Sequence, residues 1–417
     1  MSWAENTLWW HLYPLGFCGA PIRYADPEPG PRLLRLLPWL DHAVDLGAGG
    51  LLLGPVFASQ THGYDTVDQY RIDPRLGGDA DFDTLVAACR ERGLRIVLDG
   101  VFSHVGHGHP LVGEALRDGP DSHAAQLVDI DWQAPGGPQP RVFEGHGALA
   151  RLRHATDATA DYAVDVMTHW LARGADGWRL DAAYSVDPAF WARVLPRVRA
   201  AAPEAWFLGE VIHGDYPAFV AASGVDTVTQ YQLWKAIWSS LRDRNFFELD
   251  HALRRHGEML ERFVPQTFVG NHDVTRIASA VGTDAALVAT AVLLTVGGTP
   301  SVYAGDELGM RGVKRDRVGG DDAVRPAFPP APAPDAAAQR VLDAHRELAR
   351  IRRERPWLTR AVTETVSLGN TRYVYRARSR DGHEHLDVTL DVTAGAHVAV
   401  RDGAGHLLWQ LGAADAA

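Results

Sequence analysis

Residues 174–183 read Gly-Ala-Asp-Gly-Trp-Arg-Leu-Asp-Ala-Ala and combine a glycine turn, a short apolar run and two charged side chains. Side chains at positions i and i+2 of a strand point to the same face. Arg179 and Asp181 are therefore predicted to project together from the end of a buried strand, where the guanidinium keeps the carboxylate ionised and oriented. A carboxylate in that state suits a nucleophile. Taken alone, the stretch is equally compatible with a structural Arg–Asp pair at a strand end.

On either side of this stretch, short apolar runs alternate with longer amphipathic runs such as the helix predicted at 33–46, which is the pattern of repeated β–α units. The eight predicted strands lie at residues 8–16, 50–56, 94–102, 176–182, 206–212, 227–231, 267–271 and 300–304. Between the third and fourth strands, residues 103–150 are rich in Gly, Pro and His and too long for a routine loop. Beyond Pro356 the hydrophobic pattern has a period of two, typical of antiparallel strands.

The predicted fold class is therefore α/β, a (β/α)8 TIM barrel with a short inserted subdomain after strand 3 and a small C-terminal antiparallel β-domain. We expect the catalytic barrel at 1–102 and 151–355, an inserted lid subdomain at 103–150, and the C-terminal β-domain at 356–417. The length of 417 residues suits one large barrel with small additions.

The composition argues against several classes of partner. A net charge of −11, from 41 basic and 52 acidic residues, disfavours a nucleic-acid or anionic-membrane surface. No apolar run is long enough to cross a bilayer, and the first residues show no secretory signal. The two cysteines, Cys18 and Cys89, favour buried thiols over a disulfide framework. We therefore expect a cytoplasmic protein, and the oligomeric state is left open.

Polar side chains cluster where the predicted strands end. They are Asp99 and His104 after strand 3, Arg179 and Asp181 at strand 4, Glu210 at strand 5, and Asn271-His272-Asp273 at strand 7. The C-terminal ends of barrel strands meet at one face, and carboxylates and histidines that converge there indicate a catalytic site.

These four stretches, in this order and spacing, resemble the four conserved regions of the α-amylase family of glycoside hydrolases, the retaining family 13 type. They are Asp-x-Val-x-x-His at 99–104, Gly-x-Arg-x-Asp at 177–181, a Glu after an apolar strand at 210, and Asn-His-Asp at 271–273. Each pattern is weak alone, and the four together are specific. The resemblance covers essentially the whole chain and implies the same barrel, lid and C-terminal β-domain.

The resemblance implies a role for each side chain. Asp181 would be the nucleophile, Glu210 the general acid and base, and Asp273 the carboxylate that holds sugar hydroxyls and stabilises the transition state. The substrate-binding residues would be Tyr64 as an aromatic platform, Asp99 as a structural acid, Arg179 as the residue that orients the nucleophile, and His104 and His272 as hydrogen-bonding partners of the sugar.

Single residues among these also have ordinary explanations. Glu210 alone could cap a helix or pair with a lysine, His272 could be a satisfied core imidazole, and Tyr64 could serve packing. The coincidence of all four stretches favours the catalytic interpretation.

Cleavage of a glycosidic bond with retention needs a nucleophile and an acid about 5–5.5 Å apart on opposite sides of the anomeric carbon. Together with the resemblance, this predicts a retaining hydrolase that cleaves α-glucosidic bonds, chiefly α-1,4, in malto-oligosaccharides or cyclic α-glucans by double displacement. The covalent intermediate also permits an α-glucan transglycosylase or isomerase. A catalytically dead sugar-binding barrel is a third alternative, which the presence of three carboxylates and Arg179 disfavours.

We expect an oligosaccharide substrate, no cofactor and no metal. The cluster of His104, His107 and His109 has ligand types that suit zinc, but its glycine-rich loop gives neither helical spacing nor a cysteine. In many relatives an Asn before the strand-3 His helps to bind structural calcium. Ser103 stands there in this chain, and a hydroxyl is a poor substitute for an amide carbonyl, so we do not expect calcium.

Overall fold

The computed structural model describes residues 3–23 and 29–412, which divide into two compact units. One unit comprises Met1–Leu12, Asp41–Leu51 and Thr229–Ala417, and the other comprises Tyr13–Leu40 and Leu52–Val228. The extreme ends of the predicted first and last domains, at 1–2 and 413–417, and residues 24–28 lie outside the described residues. The predicted domain boundaries stay predictions.

The β-strands are short and numerous. They are β1 Trp9–Leu12, β2 Gly50–Leu53, β3 Phe57–Ser59, β4 Thr66–Ile72, β5 Arg95–Gly100, β6 His104–Gly106, β7 Ile130–Asp131, β8 Gln139–Pro140, β9 Val142–Phe143, β10 His146–Arg151, β11 Gly177–Leu180, β12 Trp206–Gly209, β13 Thr227–Val228, β14 Gln266–Phe268, β15 Thr299–Tyr303, β16 Val362–Leu368, β17 Arg372–Arg378, β18 His385–Asp391, β19 His397–Asp402 and β20 Leu407–Leu411.

Helices fill most of the sequence between the strands. The α-helices are α1 Pro14–Phe17, α2 Leu40–Leu46, α3 Asp79–Glu91, α4 Pro110–Asp118, α5 His123–Leu127, α6 Asp157–Ala172, α7 Pro188–Ala201, α8 Tyr216–Ser223, α9 Tyr231–Asp243, α10 Phe247–Leu260, α11 Ile277–Val281, α12 Thr283–Thr295 and α13 Ala336–Arg353. Short 3-10 helices occur at Arg32–Trp39, Ala183–Ser185, Asp306–Leu308, Asp322–Val324 and Pro356–Arg360.

Eight strands form the central sheet, in the order β13-β12-β11-β5-β2-β1-β15-β14. Counted among these eight strands alone, neighbours in the sheet are consecutive along the chain, except where β1 meets β15. The first strand, β1, pairs in parallel with the last, β15, with Trp9 opposite Ser301. Strands β2, β11 and β12 are buried along their whole length, as expected for parallel strands covered on both faces. This topology confirms the predicted (β/α)8 barrel.

Between β5 and β11 the chain forms the expected inserted subdomain. Strands β6, β10 and β9 make a three-stranded antiparallel sheet, and β7 pairs with β8. This segment has its own small apolar core, to which α4 and α5 contribute. The buried core residues are Val105, Val112, Ala115, Ala124, Ala125, Val128, Ile130, Ala150 and Leu152.

After α13 the chain forms the expected C-terminal antiparallel sheet, with five strands in simple sequence order from β16 to β20. Alternate residues of β17 are buried, among them Tyr373, Tyr375 and Ala377. This alternation is the period of two that the sequence shows, because one face of the sheet covers a core.

Two local predictions were wrong, and proline explains both. The strand predicted at 8–16 ends at Leu12, because Pro14 occupies the first position of α1. Of the helix predicted at 33–46, only Leu40–Leu46 is α-helical. The preceding turns form a 3-10 helix that contains Pro38, whose missing N–H and ring disfavour the α-helical hydrogen bond.

Within residues 3–23 and 29–412, no helix combines the length and apolar character that a membrane span requires. Cys18 and Cys89 are free and buried, as expected. Burial raises the pKa of each thiol to about 12, so both are unreactive thiols at neutral pH.

Candidate active site

The ends of three adjacent parallel strands bring charged side chains together in the unit that contains Leu52–Val228. Arg179 of β11 lies directly opposite Asp99 of β5 in the strand register. Backbone hydrogen bonds continue one residue beyond the strands, from Asp181 N to Gly100 O at 3.0 Å and from Glu210 N to Leu180 O at 2.9 Å. The carboxylates therefore stand on rigid backbone rather than on free loops.

Arg179 is the centre of this cluster. Its Nη1 lies 2.7 Å from both carboxylate oxygens of Asp99 and 3.2 Å from Oδ1 of Asp181. Its Nη2 lies 2.7 Å from Oε1 of Glu210. Arg179 and Asp181 lie together, as predicted from their i, i+2 spacing, but the contact between them is the longest of these contacts. No pattern in the sequence predicts that the same guanidinium also contacts Asp99 and Glu210.

Burial sets the electrostatics of the cluster. It raises the pKa of Asp99 to about 6, against the lowering effect of the Arg179 guanidinium. Burial also opposes the charge on Arg179, but the attraction of Asp99 and Glu210 outweighs it and raises the arginine pKa well above its usual value. A buried, permanently charged guanidinium thus holds three carboxyl groups in a fixed arrangement.

The residue after Asp181 has an unusual backbone conformation. Ala182 has a φ of +44°, in the left-handed region that residues with a Cβ rarely adopt. Its N–H donates to Oε2 of Glu210 at 2.9 Å. Ala182, which follows the predicted nucleophile Asp181, is therefore both the strained residue and the one that contacts Glu210, the predicted acid.

Tyr64 and His104 lie beside this cluster. The Tyr64 hydroxyl donates to Oδ2 of Asp99 at 3.1 Å. His104 lies with Nε2 at 3.0 Å from Tyr64 O and Nδ1 at 2.8 Å from Ser103 Oγ, and burial lowers its pKa to about 4. Neutral His104 thus donates from Nε2 to the carbonyl and accepts at Nδ1 from the serine. The Phe143 ring packs on its imidazole at a centroid distance of 4.4 Å.

His272 and Asp273 belong to the unit that contains Thr229–Ala417 and have partners of their own. Asp273 N donates to Asn271 Oδ1 at 2.9 Å, and its Oδ2 lies 3.1 Å from His272 Nε2. Arg325 Nη2 donates to Asp273 Oδ1 at 2.7 Å, while Arg325 Nε donates to His272 O at 2.9 Å. The Asn-His-Asp stretch is therefore held from both its backbone and its side chains.

Two residues of this second cluster were not predicted. Arg325 directly follows the 3-10 helix Asp322–Val324, in a part of the sequence without hydrophobic periodicity, so no local pattern marks it. His11, in β1, lies with Nε2 at 3.1 Å from Nδ1 of His272. Because His11 is a polar residue near the end of a barrel strand, the rule that selected Asp99 and Glu210 could have found it as well.

Among the described residues, no group of three or more His, Cys, Asp and Glu side chains is arranged to hold a metal ion. The Ser103 hydroxyl, at the position of the calcium-binding Asn of many relatives, is bonded to His104. His109 is placed 3.2 Å from Gln69 Oε1, and burial lowers its pKa to about 4. Ser103 and His109 thus have partners within the protein, and the absence of a metal stays a prediction.

Comparison with known proteins gives concordant results. The family model described as "Alpha amylase, catalytic domain" matches residues 37–142 and 141–329. A cyclomaltodextrinase of Geobacillus thermopakistaniensis (strain MAS1) is 31% identical over 338 residues, which are 75% of this chain and 57% of that protein. An intracellular maltogenic amylase of Bacillus subtilis (strain 168) is 27% identical over 342 residues, again 75% of this chain and 57% of the relative.

Among solved structures, a cyclic α-maltosyl-(1→6)-maltose hydrolase of Arthrobacter globiformis superimposes with a TM-score of 0.80 at 26% sequence identity. The alignment covers 94% of this chain and 92% of that chain. The chain thus spans less than two thirds of the length of the two curated relatives, but nearly the full length of this structural neighbour.

Proposed function

Because the chain belongs to the α-amylase family, we propose that it is a retaining glycosidase that cleaves α-glucosidic bonds, chiefly α-1,4, in malto-oligosaccharides or cyclic α-glucans. The observation that carries the proposal is the Arg179 guanidinium, which contacts both Asp181 and Glu210. Two carboxyl groups bound to one guanidinium at the ends of adjacent barrel strands support a retaining mechanism, which needs its two carboxyl groups close together.

In the first step Asp181 attacks the anomeric carbon, and the bond from that carbon to the leaving oxygen breaks. Glu210 gives its proton to that oxygen, so a sugar leaves and a glycosyl ester of Asp181 remains. Both Glu210 oxygens have partners, since Oε1 forms an ion pair with Arg179 and Oε2 accepts a hydrogen bond from Ala182 N–H. Each oxygen has a second lone-pair site, so these contacts leave room for the proton that the acid must carry.

In the second step Glu210 takes a proton from water, whose oxygen attacks the anomeric carbon and releases Asp181. We propose that Asp273 holds sugar hydroxyls as the ring flattens and that His272 and His104 bind the same substrate, with Tyr64 as the platform. The Asn-His-Asp pattern and the contacts of Asp273 with Arg325 and His272 support this assignment. Asp99 is proposed to act through Arg179 and Tyr64.

The substrate class rests on the names of similar proteins. The relatives are a cyclomaltodextrinase and a maltogenic amylase, and the structural neighbour hydrolyses a cyclic maltosyl-maltose. All three names describe α-linked glucose oligosaccharides. Transfer of the glycosyl group to a sugar acceptor stays the alternative, because the same ester intermediate serves both reactions.

We further propose that the reaction needs no cofactor, since double displacement uses only carboxyl groups and water. A cytoplasmic location is proposed on the strength of the relative described as intracellular. The net charge of −11 supports the proposal that neither nucleic acid nor a membrane surface is a partner.

A chromatographic time course tests the proposed function. The purified chain is incubated with maltotriose, cyclodextrins, starch, pullulan, isomaltose, trehalose and sucrose, with Asp181→Asn as the blank. We expect maltotriose or a cyclodextrin to be shortened by the native chain only. Larger or re-linked sugars as main products would replace hydrolysis by transfer. No change on any substrate, or equal activity of Asp181→Asn, would refute the proposal.

A further inference from the structure

Two buried imidazoles stand in line behind the carboxylate of Asp273. His11 of β1 is 4% exposed, and His272 has no exposed area. His272 Nε2 lies 3.1 Å from Asp273 Oδ2, and His272 Nδ1 lies 3.1 Å from His11 Nε2. The two rings are nearly perpendicular, at 84°, with centroids 5.0 Å apart. The three side chains thus form a continuous series of polar contacts within the unit that contains Thr229–Ala417.

The carboxylate determines which nitrogen of His272 carries a proton. An ionised carboxylate can only accept hydrogen bonds, and Asp273 accepts one at Oδ1 from Arg325 at 2.7 Å. The contact at Oδ2 is therefore favourable when His272 Nε2 carries a hydrogen. In a neutral imidazole with its proton on Nε2, the other nitrogen is an acceptor. Nδ1 of neutral His272 then needs a donor, and the nitrogen that faces it is His11 Nε2.

His11 is itself fixed by the barrel. It lies opposite Tyr303 in the parallel pairing of β1 with β15, and its carbonyl accepts a hydrogen bond of 2.7 Å from Ala304 N. The Tyr303 ring packs on the His11 imidazole at a centroid distance of 5.5 Å, and the Tyr303 hydroxyl donates to Val324 O at 2.8 Å. Strand backbone and aromatic packing therefore place the His11 ring, so that it can serve as a fixed partner for His272.

We propose that His11 is a positioning residue, which donates from Nε2 to His272, sets the tautomer of that imidazole and thereby orients Asp273. With His272 Nε2–H on Oδ2 and Arg325 on Oδ1, both oxygens of the carboxylate are fixed. In the other tautomer the lone pair of Nε2 would face a carboxylate oxygen, and their repulsion would turn one of the two groups away. This inference rests on the proposed function, in which the contacts of Asp273 with sugar hydroxyls strengthen in the transition state.

Two replacements at position 11 separate the hydrogen bond from the packing. The amide nitrogen of glutamine can take the place of the imidazole Nε2 and still donate, whereas leucine fills the space without a donor. We expect His11→Leu to lower kcat on the substrate identified in the chromatographic time course by about tenfold or more, with little change in KM. His11→Gln should recover most of that loss. The effect should appear in kcat because the contacts of Asp273 strengthen in the transition state.

His345→Leu is the matched control, because His345 is another buried histidine of the same unit. Its Nδ1 contacts Val341 O at 2.9 Å and its Nε2 contacts Thr290 Oγ1 at 3.1 Å. Its replacement should lower the free energy of unfolding and leave kcat unchanged. If His11 serves only the packing of the barrel, His11→Leu should behave in the same way, and that result would overturn the inference.

Nitrogen NMR of the chain labelled with ¹⁵N-histidine measures the tautomer independently of activity, with the His272 signals assigned by their loss in His272→Gln. We expect a neutral His272 with its proton on Nε2 in the native chain, and a shift of its signals toward the other tautomer in His11→Leu. A native His272 with a proton on Nδ1, alone or on both nitrogens, or unchanged signals in His11→Leu, would overturn the inference. If the native chain cleaves no substrate, the proposed function fails, and the NMR spectrum still decides whether His11 sets the tautomer.

Discussion

Replacement of Arg179 by lysine is the most informative single perturbation, because this side chain contacts three carboxyl groups and is 3% exposed. The guanidinium uses two nitrogens, Nη1 toward Asp99 and Asp181 and Nη2 toward Glu210. A lysine keeps the positive charge but offers one nitrogen, so if that nitrogen takes the place of Nη1 beside Asp99 and Asp181, the contact with Glu210 is lost.

The expected magnitude follows from the contacts that are lost. A hydrogen bond to a charged group contributes about 1.5–3 kcal/mol, and removal of one partner from a buried ion pair costs about 3–5 kcal/mol. Loss of the contact at 2.7 Å to Glu210 should therefore lower the free energy of unfolding of Arg179→Lys by about 3–5 kcal/mol. The two carboxyl groups also lose their common support, so kcat/KM should fall by about 10²-fold or more.

Urea denaturation measures the free energy of unfolding. Initial rates on the substrate identified in the chromatographic time course measure kcat/KM. Arg197→Lys is the matched control, because Arg197 forms a single ion pair of 2.8 Å with Asp161 on the surface. If the free energy of unfolding of Arg179→Lys lies within about 1 kcal/mol of that of the native chain and the variant keeps its activity, Arg179 does not organise the site.

Three further results are expected. Ala182→Val should lower the free energy of unfolding by about 1–3 kcal/mol, because a β-branched residue fits poorly at a φ of +44°. It should also lower kcat, because the hydrogen bond from the N–H of residue 182 to Glu210 depends on that turn. An unchanged midpoint in urea denaturation would contradict this. Burial lowers the pKa of His256 to about 4, so between about pH 6.5 and 4 the unfolded state binds a proton that the folded state does not. The free energy of unfolding should therefore decrease by up to about 3 kcal/mol as the pH is lowered through this range. Urea denaturation at pH 7 and pH 5 should show a smaller decrease for His256→Gln than for the native chain. Dialysis against EDTA should leave turnover unchanged, and a loss that added calcium restores would show that a metal is needed.

Much of the fold could be predicted because the patterns that define it are local. Strands buried on both faces, such as β11 and β12, appear as continuous apolar runs, while β17 alternates because only one of its faces is buried. The polar residues at the strand ends could be predicted as well, because they stand where these apolar runs end. The structure confirms that Arg179 and Asp181 share one face of a strand end.

The remainder depends on contacts between distant parts of the chain. Arg179 was expected to serve Asp181, yet its shortest contacts are with Asp99 and Glu210, which come from neighbouring strands. The left-handed Ala182 has no sequence signal, since alanine ordinarily avoids that conformation. Arg325 reaches Asp273 from irregular backbone, and neither hydrophobic periodicity nor turn chemistry marks such a residue.

We propose that Asp181 forms a covalent ester with the sugar while Glu210 acts as acid and base. The variant Glu210→Gln, incubated with α-maltosyl fluoride, tests both roles at once. Fluoride needs little protonation to leave, so the ester should form, and without a base its hydrolysis should be slow.

Intact-mass spectrometry followed by peptide mapping reads the outcome. We expect Glu210→Gln to gain one maltosyl group, located on the peptide that contains Asp181, and the double variant with Asp181→Asn to gain none. A maltosyl group on another residue, or labelling that persists without Asp181, would contradict the assignment of the nucleophile.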